Sequence, residues 1–340
     1  MESPAQPRTP PVVVIGASAG GVEALVKLVG GLTTELGAAV VVVLHLPATG
    51  TSVLPEILRR SGVLPVMPAG ADQPLEANQI TVAPPDHHVL VVDGRLVLDR
   101  GPRENGCRPA ADPLFRSAAR SCHSGVIGVV LSGSLDDGVS GLRAIKDAGG
   151  IAVVQDPNDA LTPSMPAMAL ANVPVDHVVP ADAIAPLLVR LSQQLQGNPT
   201  PMADTQPPSP IGKLPKPSEM PGWPTPLTCP ECGGVIWEAP DGEVARFRCN
   251  VGHSFSAESM LELQSDSVET ALWTALRVLE ERADLLRRLA DHQRESGNEF
   301  SARGFELRAR EVSDRAEVLR HAIARSHGVA APVDKADVTT

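Results

Sequence analysis

From residue 11 to about 195 the chain alternates short apolar runs with stretches of helical period. Strands are predicted at Val12–Ile15, Ala39–Leu44, Ile80–Ala83, Val126–Leu131 and Ile151–Gln155. Several are continuous β-branched runs, as expected of strands covered on both faces of a parallel sheet. Helical patterns follow most of them, at Gly21–Val29, Ser52–Arg60, Gly138–Ala148, Met165–Asn172 and Ala181–Gln194. This rhythm predicts an α/β fold with a doubly wound, mostly parallel sheet. "HVLVVDGRLVLD" breaks the rhythm. Its two alternating runs meet at Asp93-Gly94, which predicts a hairpin with a type I′ turn.

The pattern changes after residue 196. Gly197 to Pro226 holds ten prolines and little periodicity, so an extended linker is expected over 197–226. A short Cys-rich module follows at 227–255, and a helical region at 256–327. There Val268, Leu272, Leu276, Leu279, Ala283 and Leu286 share one helical face, and Phe305, Ala309, Val312, Ala316, Leu319 and Ile323 share another. "ESGNEF" between them reads as the turn of a helical hairpin. Residues 328–340 are expected to be a disordered tail.

Composition narrows the function. A formal charge of −11 excludes a general nucleic-acid binder, which needs a basic face. Aromatic residues are 2% of the chain with no Tyr, so the core must be Val, Leu, Ile and Ala. No apolar run reaches the ~18 residues of a membrane span, and "MESPAQPRTPP" has no apolar signal core. A cytoplasmic location is expected, with membranes reached only through a partner. The five Cys (Cys107, Cys122, Cys229, Cys232, Cys249) suit metal or free thiols better than a disulfide framework.

The turn after the first strand, in "VVVIGASAGGVEAL", carries the first candidate chemistry. A dinucleotide fingerprint fails because Ser18 stands where its second Gly belongs, and a P-loop fails because no Gly-Lys-Ser/Thr follows. Gly16-x-Ser18-x-Gly20 fits a nucleophile elbow, which lifts a serine above the sheet and sets helix N-terminal amides beside it. His45 closes a second strand, and Asp136 and Asp137 follow a third. In an open parallel sheet such groups gather beyond the carboxyl ends of the strands. Together they make the inventory of a Ser-His-Asp triad. Taken singly, His45 reads as a loop-edge histidine and Asp137 as a helix N-cap. These residues do not choose between Asp136 and Asp137.

Six motifs in order, "IGASAGGVEAL", "VVVLHLP", "ITVAPPDHHVLV", "RPAADPLFRSAA", "GVVLSGSLDDGVSGL" and "GGIAVVQDP…PSMPAMAL", cover about residues 10–195. They resemble the catalytic domain of the CheB protein-glutamate methylesterases. The resemblance implies hydrolysis of glutamate methyl esters on chemotaxis-type receptors, with possible deamidation of receptor glutamines and no catalytic cofactor. It carries the family triad onto Ser18, His45 and Asp137, and oxyanion donation onto the backbone amides of Ala19 and Ser134. His87, His88 and Arg108 fall in matching motifs and are expected to be structural or rim residues. Only 17 residues precede Ser18, so the receiver domain usual in that family is not expected, nor is switching by aspartyl phosphorylation within this chain.

Cys229-x2-Cys232 and Cys249-x3-His253 predict a second site, a zinc ribbon with structural Zn²⁺ held by three thiolates and one imidazole. Few basic or aromatic residues surround it beyond Trp237, Arg246, Phe247 and Arg248, so a protein-docking role is favoured over nucleic acid. Ribbon and helical hairpin together resemble a C-terminal extension of some receiver-less family members. The expected partner is a methylated chemoreceptor-type protein. The alternative reading is a catalytically silent scaffold that uses the esterase fold and the extension for binding.

Overall fold

The β-branched runs form the centre of a parallel sheet. The computed structural model describes residues 10–46, 51–196, 220, 222–241 and 244–326. Its strands are β1 (Val12–Ala17), β2 (Ala39–Leu44), β3 (Val66–Pro68), β4 (Gln73–Pro74), β5 (Ile80–Val82), β6 (His88–Val92), β7 (Arg95–Asp99), β8 (Val126–Val130), β9 (Ile151–Gln155), β10 (His177–Val179), β11 (Trp223–Thr228), β12 (Val235–Asp241), β13 (Val244–Cys249) and β14 (Ser254–Phe255). Its α-helices are α1 (Gly21–Gly31), α2 (Leu54–Ser61), α3 (Ala111–Cys122), α4 (Val139–Asp147), α5 (Ser164–Asn172), α6 (Ala181–Gln196), α7 (Ala257–Glu295) and α8 (Glu299–Ser326).

Seven strands pair in the order β10-β9-β8-β1-β2-β5-β3, every pairing parallel. The chain winds outward from β1 through β2, then returns to lay β8 on the other side of β1. The carboxyl ends of β1, β2 and β8 therefore flank the point where the winding reverses, the usual place for a site in such sheets. All residues of β1 and β2 are buried because both faces are covered. Val13, Ile15, Val40 and Val42 pack on one face with Leu25 and Leu28 of α1 and Leu188 of α6. Val12, Val14, Val41 and Val43 pack on the other with Phe115 of α3 and Leu142 of α4.

Helix α3 was not among the helices predicted. Asp112, Arg116 and Arg120 follow at intervals of four on one face, but Asp112, Ser117 and Ser121 are buried along with Leu114, Phe115 and Ala118, so buried polar residues blur its apolar face. The hairpin β6–β7 is antiparallel, and Asp93 (φ 48°) and Gly94 (φ 73°) both have the positive φ of a type I′ turn. With β4 it forms a separate three-stranded sheet.

Strands β11 to β14 form a four-stranded antiparallel sheet. β11 starts at Trp223, inside the stretch read as linker; residues 197–219 and 221, and the expected tail at 328–340, lie outside the described residues. The chain divides into two compact units, one up to Met260 and one from Leu261. The second is the helical pair of α7 and α8, which turns at Gly297 (φ 74°). Leu276, Ala283, Leu286, Ala309, Val312, Ala316 and Ile323 are buried between them. Val268 does not join the predicted face: it is 60% exposed, because the apolar seam of α7 begins one turn later, at Leu272. Among the described residues no helix is long and apolar enough to cross a membrane.

Candidate active site and metal-binding cluster

The main chain brings Ser18 and His45 to one edge. Ala17 pairs with Leu44 at the ends of β1 and β2, so Ser18 and His45 are the next residues past a shared register. His45 N donates to Ala17 O (3.0 Å), and Ser18 N donates to Ser132 O beyond β8 (2.9 Å). Three strand ends are thereby laced together by backbone hydrogen bonds.

Small residues are required at this crossing. Gly20, in the left-handed region (φ 70°), caps α1; a Cβ there would lie 2.6 Å from Leu161 Cβ and 2.7 Å from Ser132 Oγ. A Cβ on Gly133 would lie 2.0 Å from Met165 Sδ and 2.9 Å from Ser18 Cβ. Ser132 Oγ donates to Ala19 O (2.7 Å), fixing the turn after Ser18. The amides of Ala19 and Ser134 donate to no group among the described residues.

His45 Nε2 and Asp137 Oδ2 are 2.7 Å apart. Asp137 also accepts from Asn105 Nδ2 (3.0 Å), Ala111 N (2.5 Å) and Asp112 N (3.3 Å). The last two amides open α3, where the helix dipole favours a negative charge. Burial opposes ionisation of Asp137, but the hydrogen bond and charge of His45, with the Ala111 and Asn105 donors, outweigh it and hold the carboxyl at about 2. Burial pulls the His45 pKa down; the hydrogen bonds to Asp137 and Cys107 and their charges overcome it, and the net shift is upward.

The adjacent aspartates diverge. Asp136 accepts from Ser256 Oγ (2.7 Å) and Ser259 Oγ (3.2 Å), and burial pushes its pKa up to about 6. The structure brings Asp137 to His45 and points Asp136 at the residues after β14. The remaining motif residues hold loops. His88 is buried; its Nε2 donates to Pro102 O (3.1 Å) and its Nδ1 accepts from Ala110 N (3.3 Å). His87 Nδ1 bonds Pro85 O (3.0 Å), and Arg108 pairs with Asp86 (2.5 Å). Asn105 and Cys107 were not singled out by the sequence as site residues. Neither lies at a strand end, and only the path of the 103–107 loop delivers them to Asp137 and His45.

The second predicted constellation also converges. One ligand atom from each of Cys229, Cys232, Cys249 and His253 lies within 4.8 Å of all the others. Cys229 Sγ is 3.7 Å and Cys249 Sγ 3.5 Å from His253 Nδ1, and Cys232 Sγ is 3.7 Å from Cys249 Sγ. Bonds of ~2.3 Å to sulfur and ~2.0 Å to nitrogen in a tetrahedron give edges of about this length. The donor set therefore fits a metal ion. The cluster stands on two hairpin turns: Gly233 N donates to Cys229 O (2.8 Å), and Gly252 N donates to Cys249 O (2.9 Å).

Residues 13–188 match the family model for the CheB methylesterase. A putative protein-glutamate methylesterase/protein-glutamine glutaminase of Leptospira interrogans is 36% identical over 182 residues, 53% of this chain and 94% of that protein. A protein of Symbiobacterium thermophilum named protein-glutamate methylesterase/protein-glutamine glutaminase is 34% identical over 180 residues, which is 50% of its own length. The crystal structure of the Thermotoga maritima CheB methylesterase catalytic domain superposes with a TM-score of 0.52 at 30% identity, covering 54% of this chain and 98% of that one.

Proposed function

This chain belongs to the CheB methylesterase family, and from that we infer that it is a protein-glutamate methylesterase, a carboxylic-ester hydrolase working through Ser18, His45 and Asp137. The observation that carries the residue assignment is the 2.7 Å bond between His45 and an Asp137 that four donors surround. With Nε2 committed to Asp137, Nδ1 is the nitrogen left to take the Ser18 proton. Ser18 Oγ attacks the γ-carbonyl of a glutamyl methyl ester, and the tetrahedral oxyanion meets the Ala19 and Ser134 amides. The imidazolium, stabilised by Asp137, returns its proton to the leaving methoxide, and methanol departs. Water then attacks the acyl-serine by the same route and frees the glutamate. A glutamine side chain enters the same cycle with ammonia as leaving group.

The substrate is proposed to be a chemoreceptor-type protein, met in the cytoplasm. We assign the esterase to residues 10–196 and a docking module to 227–255. The Cys229, Cys232, Cys249 and His253 cluster is proposed to bind structural Zn²⁺: four protein ligands leave no open position, so the ion holds two hairpins together and takes no part in hydrolysis.

The test is release of methanol from a methylated receptor of the host, with Ser18→Ala as comparison. Loss of release in a variant with unchanged circular dichroism is expected. Release by Ser18→Ala at the wild-type rate would overturn the assignment.

A further inference from the structure

The floor of the site holds four buried carboxyl groups, Glu104, Asp112, Asp136 and Asp137. Such a cluster survives in a low-dielectric interior only when cations and donors answer it. Helix α3 supplies one cation: Arg116 lies 2.6 Å from Glu104 and 3.7 Å from Asp112. The second comes from the cysteine module. Arg246 of β13 reaches Asp112 Oδ2 at 3.1 Å and also pairs with Glu104. Burial and the Asp137 charge push Asp112 up, while Arg246 and Arg116 oppose them. Glu104 is held down against its burial by Arg116 and Arg246.

The same module grips the loop that carries Asn105. Asn105 N donates to Ser254 O (2.8 Å), and Ser256 N donates to Asn105 Oδ1 (3.1 Å). The other end of that amide, Nδ2, donates to Asp137 Oδ1 at 3.0 Å. Asn105 sits at φ 52°, in the left-handed region that asparagine adopts more readily than most residues other than glycine. A single side chain therefore joins the residues after the Cys249–His253 turn to the aspartate that orients His45.

We propose that the cysteine module is a built-in part of the esterase site, with Asn105 and Arg246 as positioning residues that fix Asp137 and, through it, His45. The proposal rests on the esterase reading of Ser18, His45 and Asp137. It makes the module more than a docking accessory: seating of β13 and β14 sets both the direction of the Asp137 carboxylate and the field around it. Glu104, Asp112 and Arg116 face the same pair from the 103–107 loop and α3, so the effect of Arg246 is to complete a charge balance that Arg116 alone leaves short.

The test uses the full chain in four forms: wild type, Asn105→Gly, Arg246→Met and Arg246→Lys. Glycine keeps the φ of residue 105 and deletes the amide. The readout is the rate at which a fluorophosphonate modifies Ser18, followed against pH, with the melting temperature measured beside it. Asn105→Gly is expected to react ~10²-fold more slowly, the scale of a small misplacement in a catalytic group. Arg246→Met is expected to slow the reaction roughly tenfold, and Arg246→Lys to recover part of that by restoring the charge. In both Asn105→Gly and Arg246→Met the pH midpoint moves upward, because Asp137 attracts the His45 proton more strongly once a competing donor or cation is gone. A purely structural role would lower the melting temperature and leave the midpoint in place. Folded variants with wild-type rates and an unshifted midpoint would overturn the proposal; if Arg246→Met does not fold, Asn105→Gly decides it. No modification of Ser18 in the wild type would instead overturn the esterase reading beneath it.

Discussion

The two sites of the first compact unit are built in opposite ways. The Ser18 site is a product of the main chain. Parallel register places Ser18 beside His45, backbone hydrogen bonds tie Ser18 to Ser132 and His45 to Ala17, and glycines let the strands' ends approach. Its side chains arrive on a frame already fixed by a Val-rich core. The cysteine cluster has no such frame. Among the described residues Phe255 and Ile236 are the large apolar side chains buried in its small sheet, a small core for four strands, so the cluster's thiols and imidazole must supply much of what closes it. A site resting on a sheet survives loss of one chemical group with its fold intact; a site that is its own support does not.

The largest effect that would sharpen this contrast is on chemistry alone. Asp137→Asn is expected to lower kcat/KM by about 10³–10⁴-fold with little change in fold, as steady-state methanol release and circular dichroism would show. The pH dependence follows from the same pair. Asp137 raises the His45 pKa, and the base form is the neutral imidazole, so activity falls as pH drops through that raised value. Removing the carboxylate charge lowers the value, and the acid limb of the residual activity should move to lower pH. An unmoved limb would break the link between His45 and the acid limb.

Next is the metal. Stripping the full chain with a strong chelator, or replacing Cys249 by Ser, is expected to remove about one equivalent of zinc and to unfold β11–β14. Zinc analysis and hydrogen exchange would show protection lost in residues 223–256 and kept in β1 and β2. Retained protection in the metal-free module would put the two sites on the same footing.

Smaller effects separate the cores. Leu28→Ala, in the fully buried face under α1, should cost about 2–5 kcal/mol in denaturant unfolding. Val268→Ala, on the exposed surface of α7, should change stability by less than about 0.5 kcal/mol. Equal costs would mean that Val268 is covered in solution.

Much of this architecture was legible in the residues. The central strands announced themselves because burial on both faces removes polar positions, and the hairpin did so because Asp93-Gly94 suits two positive φ angles. Helix α3 was missed for another reason: Asp112, Ser117 and Ser121 are buried among its apolar residues and blur the boundary between its two faces. The short edge strands β3 and β10 give too few residues for any period. At the site, Ser18 and His45 were readable because they sit at strand ends, and the Cys229, Cys232, Cys249 and His253 cluster because its spacing is local.

Sequence by itself determined where the central strands run, the short Cys229–Cys232 and Cys249–His253 turns, and which family motifs stand in order. Tertiary structure decided the rest. It separated Asp136 from Asp137, because two neighbouring carboxylates differ only in what surrounds them: His45, Asn105 and the first amides of α3 for one, Ser256 and Ser259 for the other. It also brought Arg246 to Glu104 and Asp112 across more than a hundred residues of chain. No local pattern encodes such a pairing. Its physical cause is that carboxylates already buried by the packing of one region take their missing cation from whichever region folds against them.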